Sequence, residues 1–265
     1  MTWLLVTYCV LIAAASMLGG WLPNFIKLGH RHTQMVLSLV SGVMLGVAMV
    51  HLLPHSIDLL RDARLTMMFA LAGLLFMFFL IRMFHFHYHD GGNADAHDCD
   101  HHDHEHEIKR SDISWMGLAI GFAVHTIIDG IALAAAVGAG DPHTHMLAGL
   151  GVFLAILLHK PLDALTITSL MAVRGSTPRQ RSAINVIFAL MCPLGALAFY
   201  AGVATIGDEQ DFVYGVALAI AAGVFLCISL SDLLPEVQFH SHDRLAMSCM
   251  LLLGVGIAIS IEMLL

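Results

Sequence analysis

Apolar residues are grouped along this chain into eight runs that are each long enough to cross a bilayer. A transmembrane helix needs about 20 consecutive, mostly apolar residues. We number the runs spans one to eight, and they cover residues 2–22, 34–57, 65–84, 114–138, 145–171, 182–205, 211–235 and 246–264. The pattern predicts an all-α membrane protein in which residues 1–265 form a single transmembrane domain.

One long polar segment, residues 85–110, interrupts this pattern between spans three and four. Its histidines are interleaved with Asp, Glu and Cys99, and they are His85, His87, His89, His97, His101, His102, His104 and His106. A segment with so few apolar residues cannot form a core, so we predict a disordered loop. We expect the loop to bind divalent metal ions weakly.

Composition and charge agree with a membrane protein. The chain is 58% hydrophobic and 12% charged, whereas a soluble domain is about half apolar and one-quarter charged. Much of the net charge of −8 lies in the polar loop, and there is no basic patch for nucleic acid. The five cysteines are scattered and odd in number, so no disulfide framework is predicted.

The positions of Lys and Arg predict the orientation in the membrane. With the N-terminus outside, only Arg61 and Arg64 flank the outer ends of the spans. Nine basic residues then flank the inner ends: Lys27, Arg31, Arg82, Lys109, Arg110, Arg174, Arg179, Arg181 and Arg244. By the positive-inside rule, both termini should lie outside and the His-rich loop in the cytoplasm. We expect a multi-pass protein of a bacterial inner membrane.

Spans two and seven contain an internal repeat. Residues 42–55 (GVMLGVAMVHLLPH) align without gaps to residues 223–236 (GVFLCISLSDLLPE). Apolar helices often resemble one another by chance, but a shared Leu-Leu-Pro between polar residues four apart favours a real repeat. Because these spans cross in opposite directions, the sequence predicts an inverted repeat of spans one to three and six to eight around spans four and five.

Two His–Asp pairs lie near the centres of spans four and five. HTIIDG contains His125 and Asp129, and HKPLDA contains His159 and Asp163. Residues four apart share a helix face, and an unpaired Asp at mid-membrane costs at least ~2.5–3.5 kcal/mol. Each His could bond its own Asp and hold helices together. Two matching pairs on consecutive spans favour a shared four-ligand site for a divalent cation, and zinc suits such ligands.

Lys160 and Pro161 lie inside the second of these motifs. An ammonium at mid-membrane is costly unless it is paired, so Lys160 is expected to neutralise part of the carboxylate charge and to repel a second cation. Alternatively, its long stem could carry the charge away from the site. Pro161 removes a helix hydrogen bond to the carbonyl of Leu157 and should bend span five.

Further polar residues lie at the ends of spans two and seven. His51 and His55 are at the predicted outer end of span two. The predicted inner end of span seven and the residues after it contain Asp232, Glu236, His240 and His242. Any one of them could simply be solvated among the headgroups. As a set, they predict weaker metal-binding positions on the outer and inner sides of the central site.

The ordered motifs HLLPH, HTIIDGIAL, HKPLDAL and SDLLPE, together with the His-rich loop, resemble the Zrt/Irt-like (ZIP) metal transporters over all eight spans. The resemblance is strongest to the branch with His-Lys in the fifth span. It implies a ZIP-like fold and a homodimer in the lipid bilayer. It also implies an elevator-like motion that moves zinc, or else iron, manganese or cadmium, into the cytoplasm, without a catalytic cofactor.

Three residues depart from the two-metal centre of many ZIP relatives. Thr126 follows the fourth-span His where Asn is frequent, and Lys160 follows the fifth-span His where an acid is frequent. Cys192 stands before Pro-Leu-Gly in span six, where some relatives have Glu. The resemblance therefore implies one central ion, with Lys160 in place of the second.

Other functions fit the pattern less well. A cation diffusion facilitator, which exports metal, also uses paired His-xxx-Asp helices and a His-rich loop. Its motifs lie three helices apart before a soluble C-terminal domain, whereas the motifs here are on consecutive spans and the last predicted element is a span. An intramembrane metalloprotease would need His-Glu-xx-His, which the sequence lacks. A structural or sensory protein would not need matched ligands at mid-membrane, so we predict a transporter and not an enzyme.

Overall fold

The computed structural model describes residues 2–22, 30–84, 115–140, 148–239 and 244–264. Within these ranges the chain forms helices and no strands. Eight helical stretches are long and apolar enough to cross a membrane, which confirms the all-α architecture and the eight spans. The predicted His-rich loop at 85–110 and the predicted ligands His240 and His242 lie outside the described residues.

The helices follow the predicted spans, with ends that shift by several residues. Spans one, three, four and five form the helices Thr2–Trp21, Ala63–Phe84, Trp115–Gly138 and Leu150–Val173. Spans six, seven and eight form Pro178–Val203, Gln210–Phe239 and Arg244–Leu264, and a short 3₁₀ turn covers Gly207–Glu209. Span six begins before its apolar run because Thr177 and Gln180 form a capping box ahead of it.

Span two is built from three consecutive segments, which the sequence pattern does not predict. An α-helix covers His30–Gly46, a π-helical turn covers Val47–Leu52, and a second α-helix covers Leu53–Leu60. Pro54 has no N–H, and in a regular α-helix its ring would strike the carbonyl of Val50. The Leu53 N–H donates to the Ala48 carbonyl five residues back. The helix is therefore wider just before the proline.

The eight spans pack as two groups of four. Spans one, four, five and six form the site bundle, and spans two, three, seven and eight form the frame bundle. Extensively packed pairs are two–eight and three–seven in the frame bundle, and four–six and one–five in the site bundle. Exchanging spans one with six, two with seven, three with eight and four with five converts each of these pairs into another. This packing agrees with the predicted inverted repeat.

Glycines allow the backbones of these helix pairs to touch. A Cβ on Gly42 of span two would collide with the Leu251 carbonyl of span eight. The reciprocal contact joins Gly254 of span eight to the Leu39 carbonyl of span two. In each direction, the contacted carbonyl lies three residues before the partner's glycine. Small residues at such crossings permit close packing of membrane helices.

The same crossing recurs in two further pairs of spans. The contacts are Gly223 with Ala70 and Gly73 with Ile220 between spans seven and three, and Gly130 with Cys192 and Gly195 with Ile127 between spans four and six. The offset of three residues is again kept in both directions. Gly223 is also the residue that the internal repeat aligns with Gly42. The repeated segments therefore make equivalent contacts as well as sharing sequence.

We predict that Gly254→Ala destabilises the protein because the new methyl group would meet the backbone of span two. Overpacking of this kind typically costs about 1–3 kcal/mol. Gly256→Ala is the matched control, since a Cβ at Gly256 on the same helix meets nothing within 4 Å. Thermal unfolding of the two purified variants in detergent measures the difference. Equal unfolding temperatures would contradict the crossing geometry.

Candidate metal centre

The two His–Asp pairs lie at the middle of the helices of spans four and five, each of which has 24 residues. The helix of span five is continuous through Pro161. Gly19 of span one lies against the Pro161 backbone, so this stretch is packed within the site bundle. His125, Asp129 and His159 are buried. The four polar side chains are thus held far from either helix end.

The four side chains converge on one another across the two helices. Nε2 of His125 is 3.4 Å from Asp129 Oδ2 and 3.8 Å from Asp163 Oδ2. Nε2 of His159 is 3.3 Å from Asp129 Oδ2 and 3.9 Å from Asp163 Oδ2. The His–Asp distances between the two helices are as short as those within each helix. The four side chains therefore form one cluster and not two independent His–Asp pairs. Single ligand atoms of His125, His159 and Asp163 all lie within 4.8 Å of one another.

The orientation of the His159 ring is fixed by its second nitrogen. Nδ1 lies 2.8 Å from the Ala155 carbonyl oxygen, and because a carbonyl only accepts, Nδ1 must carry a hydrogen and donate it. In the neutral ring, Nε2 then presents a lone pair towards the carboxylates. Metal-ligating histidines are commonly oriented by this kind of bond. Phe225 of span seven packs edge-on against the same ring, with centroids 6.1 Å apart.

Lys160 points into the centre rather than away from it. Its Nζ donates to Asp129 Oδ2 at 2.5 Å, to Asp163 Oδ2 at 3.1 Å and to Thr126 Oγ1 at 3.0 Å. The side chain is buried. The long stem therefore does not carry the charge out of the site, which was the alternative. Thr126 and Lys160, two of the positions at which the sequence resemblance implies the loss of a second metal ion, are hydrogen-bonded to each other.

The two predicted histidines of span two lie apart from the central site. His51 Nδ1 is 2.6 Å from Glu262 Oε2 of span eight. His55 Nε2 donates to the Ala139 carbonyl at 3.1 Å. Ala139 follows Asp129 by ten residues, or about 15 Å along a helix. Sequence reasoning missed Glu262, although an acidic residue inside the apolar run of span eight is a recognisable signal.

The predicted inner positions are only partly within the described structure. Asp232 and Glu236 lie on the helix of span seven, Gln210–Phe239. Their side chains, and all of His240 and His242, lie outside the described part of the structure. The metal-binding role of all four residues stays a prediction.

Comparison with known proteins gives a consistent result. A family model described as ZIP Zinc transporter matches residues 3–262. Zinc transporter ZIP9-B of Xenopus laevis is 31% identical over 143 residues, which cover 52% of this chain and 46% of that protein. Zinc transporter ZIP9 of Micropogonias undulatus is 30% identical over 143 residues, 53% of this chain and 45% of that protein. Zinc transporter ZIP10 of Homo sapiens is 28% identical over 134 residues, 51% of this chain and 15% of that protein. The chain spans about half the length of the ZIP9 relatives it matches.

We predict that the helical core binds one zinc ion tightly per chain. At about 4 Å and an effective dielectric constant of about 20, the Lys160 charge would raise the energy of a second divalent cation by roughly 8 kcal/mol before screening. Lys160→Glu should add a second, weaker ion by replacing the ammonium with a ligand. Zinc titration of a variant lacking residues 90–106 measures the core alone.

The control for this titration is the same loop deletion with Lys160 unmutated. Two core ions per chain in protein that retains Lys160, found by titration or by anomalous diffraction, would contradict the prediction. The ammonium would then have to leave the carboxylates when the second ion binds.

Proposed function

The chain belongs to the ZIP zinc transporter family, and we propose that it carries divalent metal ions, zinc foremost, through the membrane by way of His125, Asp129, His159 and Asp163. Iron, manganese and cadmium ions are further candidate substrates, because they accept the same nitrogen and oxygen ligands. The proposed direction is into the cytoplasm, and the proposed assembly is a homodimer. Both proposals follow from the resemblance of the sequence to the ZIP family. The cytoplasmic side is assigned from the distribution of Lys and Arg, which predicts that both termini lie outside.

The observation that carries this proposal is the contact between His159 and Asp129. The lone pair of His159 Nε2 faces a carboxylate oxygen at 3.3 Å, while Nδ1 is committed to the Ala155 carbonyl. Two electron-rich atoms this close are stable only with a cation beside them. Lys160 supplies one positive charge to this oxygen, which does not balance the two carboxylates. A divalent ion bound by both rings and both carboxylates would supply that charge and satisfy zinc's preference for four N and O ligands.

The division into two bundles supports an elevator-like movement of the site. All four proposed ligands belong to the site bundle, whereas His51 and Asp232 belong to the frame bundle. An open apolar groove of about 360 Å³ is lined by spans three and seven of the frame bundle and spans four and six of the site bundle, with residues such as Phe69, Ile128 and Phe199. An apolar boundary between the bundles offers few polar bonds to break when one bundle slides.

We predict that Asp129→Ala and Asp163→Ala each reduce zinc uptake into proteoliposomes to the level of protein-free liposomes. Either change removes a proposed ligand and leaves Lys160 with a single carboxylate. Insertion should survive because losing a mid-membrane carboxylate lowers the cost of burial. Zinc uptake and the amount of protein reconstituted are measured together.

The control for these variants is Asp211→Ala, which removes an exposed carboxylate from the first turn of span seven. It should leave uptake close to the unmutated rate. Normal uptake by either of the two ligand variants would refute the proposed site. Loss of uptake in the control would point to a general charge effect instead.

We also predict that deleting residues 90–106 leaves most of the zinc uptake intact. The proposed route runs through the helices, and the deleted histidines belong to a polar segment between spans three and four. Uptake by the shortened protein is compared with that of the full chain at matched protein content. Complete loss of flux in a correctly assembled deletion variant would make the loop part of the pathway.

A further inference from the structure

The Lys160 ammonium is bonded to the same oxygen atoms that face the histidines. Nζ donates to Oδ2 of Asp129 and to Oδ2 of Asp163. These two oxygens lie 3.3–3.9 Å from the Nε2 atoms of His125 and His159. A metal ion held by the four proposed ligands must therefore share these oxygens with the ammonium or displace it.

We propose that Lys160 is a tethered counter-ion, which takes over the two carboxylates when the metal ion leaves and so allows the empty site to return across the membrane. This inference rests on the proposed transport function, since it concerns the second half of the same cycle. It assigns Lys160 a role in the movement of the empty site. Its effect on the number of bound ions is a separate matter.

The charge of the site explains why such a counter-ion is useful. With neutral histidines, two carboxylates and one ammonium give a net charge of −1 when the site is empty and +1 when it holds a divalent ion. Without the ammonium, the values are −2 and zero. The cost of burying a charge rises with its square, so an empty site at −2 is about four times as costly as one at −1. Lys160 makes the loaded and empty states similar in this respect.

The ammonium also contacts two groups other than the carboxylates. Thr126 Oγ1 accepts from Nζ at 3.0 Å and donates its own hydrogen to the Phe122 carbonyl at 2.7 Å. The Phe188 ring centroid is 5.5 Å from Nζ, within the range of a cation–π contact. Neither group is among the proposed ligands. Both would remain available to the ammonium when a metal ion occupies the oxygens.

A lysine that only held helices together would act differently. Loss of a structural ion pair would slow every movement of the site bundle, loaded or empty. Loss of a counter-ion would slow the empty site alone. Two measurements in the same proteoliposomes separate these cases: net zinc uptake into zinc-free vesicles, which needs the empty site to return, and exchange of radioactive zinc at equal zinc on both sides, which does not.

The experiment compares the unmutated full chain with Lys160→Met, which keeps the apolar stem and removes the charge. We expect zinc exchange to fall by no more than about twofold and net uptake to fall by at least about tenfold, a barrier increase of about 1.4 kcal/mol. Unlabelled zinc loaded inside the vesicles should restore the uptake of radioactive zinc by the variant. Thr168→Val is the control, because Thr168 is a buried polar residue of the same helix whose hydroxyl bonds the Ala164 carbonyl.

Two results for Lys160→Met would overturn the inference: equal loss of exchange and net uptake, or unchanged net uptake. A test on the unmutated protein does not depend on the folding of any variant. There, internal zinc should accelerate uptake only slightly, because Lys160 already lets the empty site return. Strong acceleration would overturn the inference while leaving transport itself established. Absence of both kinds of flux in the unmutated protein would instead refute the proposed function.

Discussion

The burial of two carboxylates at the centre of a membrane bundle is the constraint on which the rest of this site depends. Asp129 is fully buried and Asp163 largely so, with exposed side-chain fractions of 0% and 15%. Such groups require cations nearby, and the described surroundings supply one, Lys160. One ammonium leaves a net negative charge. That remaining charge and the lone pair of His159 make the centre attractive to a divalent ion.

The inverted repeat determines where in the bundle the two carboxylates are buried. Gly195 of span six rests on the backbone of Ile127, midway between His125 and Asp129. Gly19 of span one rests on the backbone of Pro161, midway between the His and Asp of span five. Ile127 and Pro161 are equivalent positions when the two motifs are aligned. Each His–Asp pair is therefore supported by an equivalent close helix contact, which holds its two proposed ligands at the middle of the bundle.

The sequence was sufficient to predict features that depend on local pattern. Span number follows from apolar length, and the convergence of the four His and Asp side chains follows from their burial cost and their matching spacing. Features that depend on packing between distant segments were not predictable. The partner of His51 is Glu262, 211 residues away. To predict that Thr126 accepts a hydrogen bond from Lys160, one would need to know how far span four is shifted along its axis relative to span five. The π turn of span two reflects how Pro54 is accommodated, which a repeat pattern does not reveal.

The difference between the two half-sites matters as much as their likeness. Thr126 and Lys160 are equivalent in the repeat, and they are bonded to each other at 3.0 Å. Positions that are exchanged by a two-fold relation and also touch must lie close to its axis. Two lysines there would repel each other, and two threonines would leave both carboxylates without a fixed cation. One residue of each kind gives a donor and an acceptor, so the centre departs from the repeat at the point where exact symmetry would be electrostatically unfavourable.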